Sequence, residues 1–296
     1  MKCLKYPNNF LELPDKFSDY AVSKALILPF PYEKTTSYVK GTKKGPSAII
    51  SASREVELFD NEIGNIYEVG ICTLKELSMD DAPEEMAENT YAHFRKLLRN
   101  DKFVITLGGE HSITSGIVKA YKDVYNDLSV LQIDAHADLR ENFEGSRYSH
   151  ACAMRRTMDF SSIVQVGIRS LSEEEDEFIK EKKLSIFWAK EIHDNDNWFG
   201  KAISNLSGNV YLTIDLDGFD PSIMPAVGTP EPGGLGYYQV LNFLKEVFKK
   251  RNVVGCDVVE LCPRDKDINS DFTAARLVYK IIGYKFLNEK INFNKN

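Results

Sequence analysis

Two short acidic segments carry the residue types that bind divalent metal ions. In the first, Asp134, His136 and Asp138 alternate with alanine. The second contains Asp215 and Asp217. Alternate residues of an extended chain point to the same face, so each group can converge on one point. Two adjacent divalent cations are a common means of activating water for hydrolysis. Together, the two segments provide enough ligands for such a pair.

A third segment, GGEHS at residues 108–112, adds the imidazole of His111. Each segment comes at or just after the end of an apolar run, at residues 103–107, 129–134 and 209–215. The carboxyl ends of parallel strands meet at one edge of a sheet, and ligands bind there. Imidazoles and carboxylates without a thiolate suit Mn²⁺ better than a structural zinc, although imidazole also binds zinc, cobalt and iron.

Two further residues have the chemistry of a substrate site. His150 lies twelve residues after Asp138. The ordinary pKa of histidine suits proton transfer near neutral pH, but the spacing alone also fits a surface or capping histidine. Glu260 follows the apolar run 252–259, where a charge needs a partner. That partner is either a structural cation or a bound guanidinium, which a carboxylate matches through paired hydrogen bonds.

The elements that must position these residues alternate along the chain. Strands are predicted at residues 24–30, 66–71, 103–107, 129–134, 162–168, 184–188, 209–215 and 252–259. Helices are predicted near residues 46–58, 83–100, 112–124, 172–182, 197–206, 236–251 and 271–287. This alternation indicates βαβ units with right-handed connections. The predicted fold is therefore a three-layer α/β/α arrangement around a mostly parallel sheet of about eight strands.

Composition limits the remaining possibilities. The 296 residues are 43% hydrophobic, which suffices for one large domain over residues 1–296, with no assignable motif in residues 1–40. A net charge of −7 with dispersed lysines and arginines argues against a nucleic-acid partner. No apolar run approaches the ~20 residues of a membrane span, and the N-terminus lacks a signal-peptide core, so we expect a cytoplasmic protein. Reduced and mostly buried thiols are expected for all five cysteines: Cys3, Cys72, Cys152, Cys256 and Cys262.

Together with a GTPEPGGL segment at residues 228–235, these motifs resemble the ureohydrolase family of arginase and agmatinase. The resemblance spans most of the chain after Gly41. It implies an arginase/deacetylase-like fold, two Mn²⁺ ions per chain and assembly into trimers or hexamers. By this resemblance, metal A would be held by His111, Asp134, Asp138 and Asp215. Metal B would be held by Asp134, His136, Asp215 and Asp217.

The resemblance also implies a reaction. A hydroxide between the ions would attack the guanidino carbon of a small cationic substrate and release urea and an amine. Asp138 would hydrogen-bond the hydroxide, Glu260 would bind the guanidinium, and His150 would pass a proton to the leaving amine. A one-zinc deacetylase of the same fold needs fewer ligands than the six present here. An inactive regulatory subunit would not need intact ligands, His150 or Glu260.

The loop at residues 139–149 bears on the substrate. It is similar to the agmatinase pattern D-A-H-x-D-L-R-x-x-x-E-G-x-x-x-S-H and lacks the run of Asn, Ser and Thr typical of arginase. Glu141 and Glu144 would favour a cationic tail, whereas Arg140 and Arg147 would oppose it. We therefore expect Glu144 to bind substrate with Glu260 and His150, and agmatine to be cleaved to putrescine and urea. N1-aminopropylagmatine, arginine and other guanidino acids are the alternatives.

Overall fold

The computed structural model describes residues 2–194 and 197–293. In this part of the chain one parallel sheet runs through the molecule, in the strand order β2-β1-β3-β8-β7-β4-β5-β6. The strands are β1 (Ala25–Phe30), β2 (Ile71–Thr73), β3 (Phe103–Gly108), β4 (Leu128–Ile133), β5 (Ser162–Ile168), β6 (Ser185–Trp188), β7 (Asn209–Asp215) and β8 (Asn252–Val259).

Helices cover both faces of this sheet. They are α1 (Asp15–Ser18), α2 (Gly45–Ser53), α3 (Pro83–Leu97), α4 (Thr114–Val124), α5 (Ala153–Thr157), α6 (Glu173–Lys182), α7 (Ala189–Asp194), α8 (Trp198–Ser204), α9 (Tyr237–Lys250) and α10 (Asn269–Phe293). Two hydrophobic cores lie on the two faces of the sheet. One packs α2, α8, α9 and α10 against the face that includes Ile105, and the other packs α3, α4 and α5 against the face that includes Val104. The predicted three-layer fold is confirmed, with a fully parallel sheet. None of the described helices is long and apolar enough to cross a bilayer.

Several predicted elements were wrong in detail. Residues 66–71 were expected to form a strand, but Ile66–Val69 is a 3₁₀ helix and the strand begins at Ile71. Gly70, with a φ of 82°, separates the two because it adopts a backbone conformation that other residues rarely take. The first predicted long helix ends at Ser53 rather than at residue 58. Short helices such as α5 and α7 were missed, since five or six residues give too little periodicity to detect.

The expectation that every cysteine is reduced is wrong for one pair. Cys3 and Cys72 form a disulfide, with Cα atoms 6.1 Å apart. The reason is a tertiary contact: the N-terminal segment lies beside β2, and Leu4 donates a backbone hydrogen bond of 2.7 Å to Thr73. Residues 69 positions apart in sequence thus meet without any local signal. The other three cysteines are free and buried, as predicted: Cys152, Cys256 and Cys262.

Candidate metal centre and substrate cavity

Four neighbouring strands deliver the candidate ligands to one edge of the sheet. They are the central strands β3, β8, β7 and β4, and the site lies at their carboxyl ends. His111 follows β3, Asp134 follows β4, Asp215 ends β7 and Glu260 follows β8. Residues separated by up to 149 positions therefore meet, as the parallel-sheet prediction required.

The first group of ligands surrounds the buried ring of His111. Its Nδ1 lies 3.2 Å from Asp134 Oδ2, 3.0 Å from Asp138 Oδ2 and 3.5 Å from Asp215 Oδ2. No satisfactory hydrogen bond of this nitrogen is found among the described residues, although it is fully buried. An unsatisfied imidazole nitrogen facing three carboxylates is the donor set that a divalent cation requires.

The second group shares Asp134 with the first. His136 Nδ1 lies 2.9 Å from Asp217 Oδ2 and 3.7 Å from Asp134 Oδ1. In each group, one ligand atom per residue lies within 4.8 Å of the others: His111, Asp134 and Asp215 in one, and Asp134, His136 and Asp217 in the other. Asp134 therefore presents one oxygen to each group. This arrangement fits two cations that share a carboxylate.

The crowded carboxylates perturb one another. Burial, followed by the charges of Asp217 and Asp134, raises the pKa of Asp215 well above its ordinary value. Burial and the charge of Asp134 likewise raise the pKa of Asp138. Burial opposes protonation of His136, but Asp217 and Asp134 outweigh it and raise its pKa to about 12. A divalent cation would relieve the repulsion and compete with these protons, so the donor set fits a metal whose binding weakens in acid.

A buried chain of polar groups behind His111 was missed in the sequence. Thr213 Oγ1 lies 2.8 Å from His111 Nε2 and donates its own proton to Asp257. Asp257 is fully buried and also accepts from Tyr211, at 2.8 Å, and Thr114, at 3.0 Å. Outer partners of this kind orient metal-binding histidines. The sequence did contain one signal: Asp257 lies within the apolar strand β8, and a buried carboxylate needs polar partners.

Two other missed residues hold the acidic segments in place. Gln132 donates a 2.6 Å hydrogen bond to Asp134 Oδ2 from the same face of β4. Arg169 donates to the backbone carbonyls of Asp217, at 2.7 Å, and Glu231, at 2.8 Å. Gln132 was detectable, since it precedes Asp134 by two residues in a strand. Arg169 gave no sequence signal, because its contacts depend on how the loops fold.

Five of the six candidate ligands line a cavity of about 210 Å³, namely His111, His136, Asp138, Asp215 and Asp217. Glu260 lies in its wall and accepts a 2.7 Å hydrogen bond from the backbone of His111. Burial, followed by the charge of Glu110, raises the pKa of Glu260 well above its ordinary value. Glu260 and Asp138 both adopt left-handed backbone conformations, with φ of 66° and 53°. Such conformations are costly for residues other than glycine and concentrate at functional sites.

The loop that follows Asp138 contributes His150 but not Glu144. His150 is partly buried and lines the cavity, with its ring perpendicular to that of Phe143 at 5.7 Å. Glu144 is exposed in a turn and is not among the residues that line the cavity, so the structure does not bring this predicted substrate ligand to the site. Glu141 is also unsuited to a substrate tail, because its carboxylate is paired with three arginines: Arg147, Arg155 and Arg156.

Comparison with known proteins identifies the family. The sequence model of the arginase family matches residues 23–283. The chain belongs to the arginase family. The resemblance drawn from the motifs is thereby confirmed, and it extends over nearly all the described residues.

Similar members of the arginase family include enzymes named for agmatine-type substrates. An N(1)-aminopropylagmatine ureohydrolase of Synechocystis sp. is 41% identical, over 94% of this chain and 96% of the relative. An agmatinase of Pyrococcus horikoshii is 34% identical, over 92% of this chain and 95% of the relative. The crystal structure of agmatine ureohydrolase of Thermoplasma volcanium superposes with a TM-score of 0.86 at 31% identity, over 96% of each chain.

Proposed function

We propose that this chain is a metal-dependent ureohydrolase that cleaves agmatine to putrescine and urea. One observation carries the proposal: two ligand groups share Asp134, and their other members line the same cavity as Glu260 and His150. Guanidine hydrolysis needs a cation site, a carboxylate that binds the guanidinium and an imidazole that transfers a proton.

The proposed ligands divide between two positions. Position A is assigned to His111, Asp134, Asp138 and Asp215, and position B to Asp134, His136, Asp215 and Asp217. Two divalent cations held there would activate a water molecule and stabilise charge on the reacting guanidino group. We propose Mn²⁺ at both positions, because imidazole and carboxylate donors without thiolates suit this ion.

The protein groups around these positions have distinct tasks. Glu260 uses Oε1 to accept the His111 backbone N–H, which leaves Oε2 for the planar substrate cation. Gly228 lies beside this oxygen, and a Cβ there would be 4.0 Å from it, so a larger residue would narrow the space for substrate. His150 lines the same cavity and is proposed to give a proton to the leaving amine.

The outer wall of the cavity suits an amine tail better than an amino-acid tail. Arg140 is the cationic side chain among its lining residues, and it lies 3.8 Å from Glu175 and over the ring of Phe143 at 5.1 Å. It is therefore partly neutralised and poorly placed to hold an α-carboxylate alone. Tyr38 is 76% exposed and lines the cavity with Phe143, and such aromatic surfaces attract alkylammonium groups.

N1-aminopropylagmatine is a second candidate substrate. The 41% identical relative carries that name, whereas the agmatinase of Pyrococcus horikoshii is 34% identical. Both substrates present the same guanidino group to Glu260 and differ only in the length and charge of the tail. The chemistry at the metal positions would be the same for either amine.

Urea release in the presence of Mn²⁺ tests the proposal, with agmatine, N1-aminopropylagmatine and arginine as substrates. We expect kcat/KM for at least one amine to exceed that for arginine by ~10²-fold or more, because unpaired polar groups penalise the wrong substrate strongly. An arginine value equal to or above both amines would contradict the proposal. Turnover of acetylated amines without urea release would instead indicate a deacetylase, and metal binding without any turnover a regulatory subunit.

Further parts of the proposal concern the whole molecule. We propose one ureohydrolase domain over residues 1–296, because the two hydrophobic cores lie on opposite faces of the same sheet. We also propose a homo-oligomer, trimeric or hexameric, and a cytoplasmic location, both of which the family resemblance favours. Light scattering of the purified protein and subcellular fractionation test these two statements.

A further inference from the structure

A buried hydrogen-bond network lies behind His150. Two residues form its centre. Glu110 is fully buried, and Thr35 lies in the loop after β1. Thr35 Oγ1 donates to Glu110 Oε1 at 2.7 Å and accepts from the backbone N–H of His150 at 2.9 Å. The same oxygen lies 3.2 Å from His150 Nδ1. Glu110 is thus connected to the imidazole through one hydroxyl group.

The donors around Glu110 determine where the protons lie. Its Oε2 accepts the backbone N–H groups of Lys34, at 2.6 Å, and Thr35, at 2.7 Å. Its Oε1 accepts the hydroxyls of Thr35 and Ser112, the latter at 2.6 Å. A backbone N–H can only donate, and an ionised carboxylate can only accept. The ionised form therefore satisfies all four groups, and it holds the hydroxyl proton of Thr35 directed toward Glu110.

The tautomer of His150 follows from this polarity. Because the Thr35 proton is committed to Glu110, the Thr35 oxygen can interact with His150 Nδ1 only by accepting a proton from it. The Thr35 contact is therefore a hydrogen bond only when Nδ1 carries hydrogen, whereas the Ser149 hydroxyl, also 3.2 Å from Nδ1, can serve either tautomer. No hydrogen bond of Nε2 is found within the described ranges, so this nitrogen is the one free to exchange a proton with substrate.

We propose that Thr35 and Glu110 are positioning residues that fix the Nδ1-protonated tautomer and the orientation of the His150 ring. The inference rests on the proposed function, in which His150 gives a proton to the leaving amine. It adds two residues that act through His150 and touch neither substrate nor metal. Correct tautomer and orientation of an imidazole are prerequisites for efficient proton transfer.

Glu110→Gln is the sharpest perturbation, because it reverses the polarity of the network. The amide oxygen must face the two backbone N–H groups, since an NH₂ group there would leave both unsatisfied. The NH₂ group then donates to Thr35, whose own proton turns toward His150 Nδ1. This arrangement opposes the imidazolium. We expect kcat to fall by ~10²-fold, the lower range for loss of a general acid.

Thr35→Val and Thr35→Ser form a matched pair, since valine keeps the shape and serine keeps the hydroxyl. For Thr35→Val we expect kcat to fall by ~10-fold or more, with KM within ~2-fold and unchanged bound Mn²⁺. Thr35→Ser should recover most of the activity. Ser149→Ala should lose less than Thr35→Val, because the Ser149 hydroxyl, also 3.2 Å from Nδ1, is not among the described donors to Glu110.

A double-mutant cycle separates positioning from a structural role. If Thr35 acts through His150, adding Thr35→Val to His150→Asn should lower kcat by less than ~2-fold. A further ~10-fold loss, or loss of Mn²⁺ from Thr35→Val, would overturn the inference. So would a Ser149→Ala defect that equals or exceeds that of Thr35→Val.

The single variants also distinguish this inference from the proposed function. Low activity of His150→Asn with full activity of Thr35→Val would remove the inference and leave the function intact. Full activity of His150→Asn, or no urea release by the wild-type enzyme, would remove the proposed roles themselves. Because Thr35→Val conserves shape, its activity decides the question even if Glu110→Gln fails to fold.

Discussion

The hydroxyl of Thr213 provides a selective way to weaken one metal position. This hydroxyl contacts His111 Nε2 at 2.8 Å and donates to Asp257. Thr213→Val therefore removes the hydrogen bond to the His111 ring with little change in the volume of the side chain at position 213. Partners of this kind typically contribute 10–100-fold to metal affinity. At about 1.4 kcal/mol per factor of ten, position A should lose about 1.4–2.8 kcal/mol of binding free energy. Position B lacks His111 and should be little affected.

The neighbouring strand supplies a matched control. Thr106 on β3 and Thr213 on β7 both pair in register with Asp257 on β8. Thr106 is also fully buried, but its hydroxyl has no hydrogen-bond partner in the described ranges. Thr106→Val removes the same atom from an equivalent place in the sheet and should be neutral or slightly stabilising.

Calorimetric titration of each metal-free variant with Mn²⁺ measures both positions. We expect Thr213→Val to weaken one of two binding events by 10–100-fold and Thr106→Val to match the wild type. Thermal unfolding without metal shows whether either change merely destabilises the sheet. Equal Mn²⁺ affinities for the two variants, or an equal weakening of both events in Thr213→Val, would refute the proposed orienting role of Thr213.

Three other predictions concern the shared metal ligand, His150 and a buried ion pair. Asp134→Asn should weaken both metal positions, whereas Asp217→Asn should spare position A; equal metal content by mass spectrometry would contradict the sharing of Asp134. His150→Asn should keep two metals per chain while kcat falls by ~10²-fold or more, and full activity would exclude its role. Lys280→Met should lower the free energy of unfolding by ~1–3 kcal/mol in urea denaturation, because buried Asp60 loses one of its two cationic partners and keeps Arg276.

The Lys280 prediction has a control and a pH dependence. Lys245 makes an exposed 2.7 Å pair with Glu62, so Lys245→Met should cost less than ~1 kcal/mol. Burial favours protonated Asp60, but hydrogen bonds from Lys280 and backbone N–H groups outweigh it and hold the Asp60 pKa below its ordinary value. Because the pKa of Asp60 is lower in the folded than in the unfolded protein, its ionised carboxylate stabilises the fold above the unfolded-state pKa of about 4. This stabilisation is lost as the pH falls through the lower pKa of the folded state. Equal effects of the two lysine changes would contradict this account.

Much of the sheet was predictable because its strands are buried on both faces. Parallel strands of this kind are continuous apolar runs, so the predicted 162–168, 209–215 and 252–259 agree with the observed β5, β7 and β8. Strand order was not predictable, because local periodicity does not record which strands become neighbours. The disulfide of Cys3 and Cys72 was missed for the same reason.

The candidate site divides along similar lines. The acidic segments, His111, His150 and Glu260 were found because each follows a strand or fits a motif. Thr35 was missed because its contact with His150 joins residues 115 positions apart in a loop without regular structure. Glu144 was assigned from loop charge alone, and the turn at Phe143 and Ser146 leaves it exposed. Charge in a loop indicates composition, whereas the direction of a side chain depends on the backbone turn.

The central position of β8 has a consequence for synthesis of the chain. This strand is the last in sequence, yet it separates β3 from β7. Before it emerges from the ribosome, the sheet can exist only as two parts, each with an unpaired edge that invites aggregation. His111 belongs to one part, whereas Asp134, His136 and Asp217 belong to the other. A nascent chain can therefore assemble the ligands of position B early, but it can close position A only after residues 252–259 have been made.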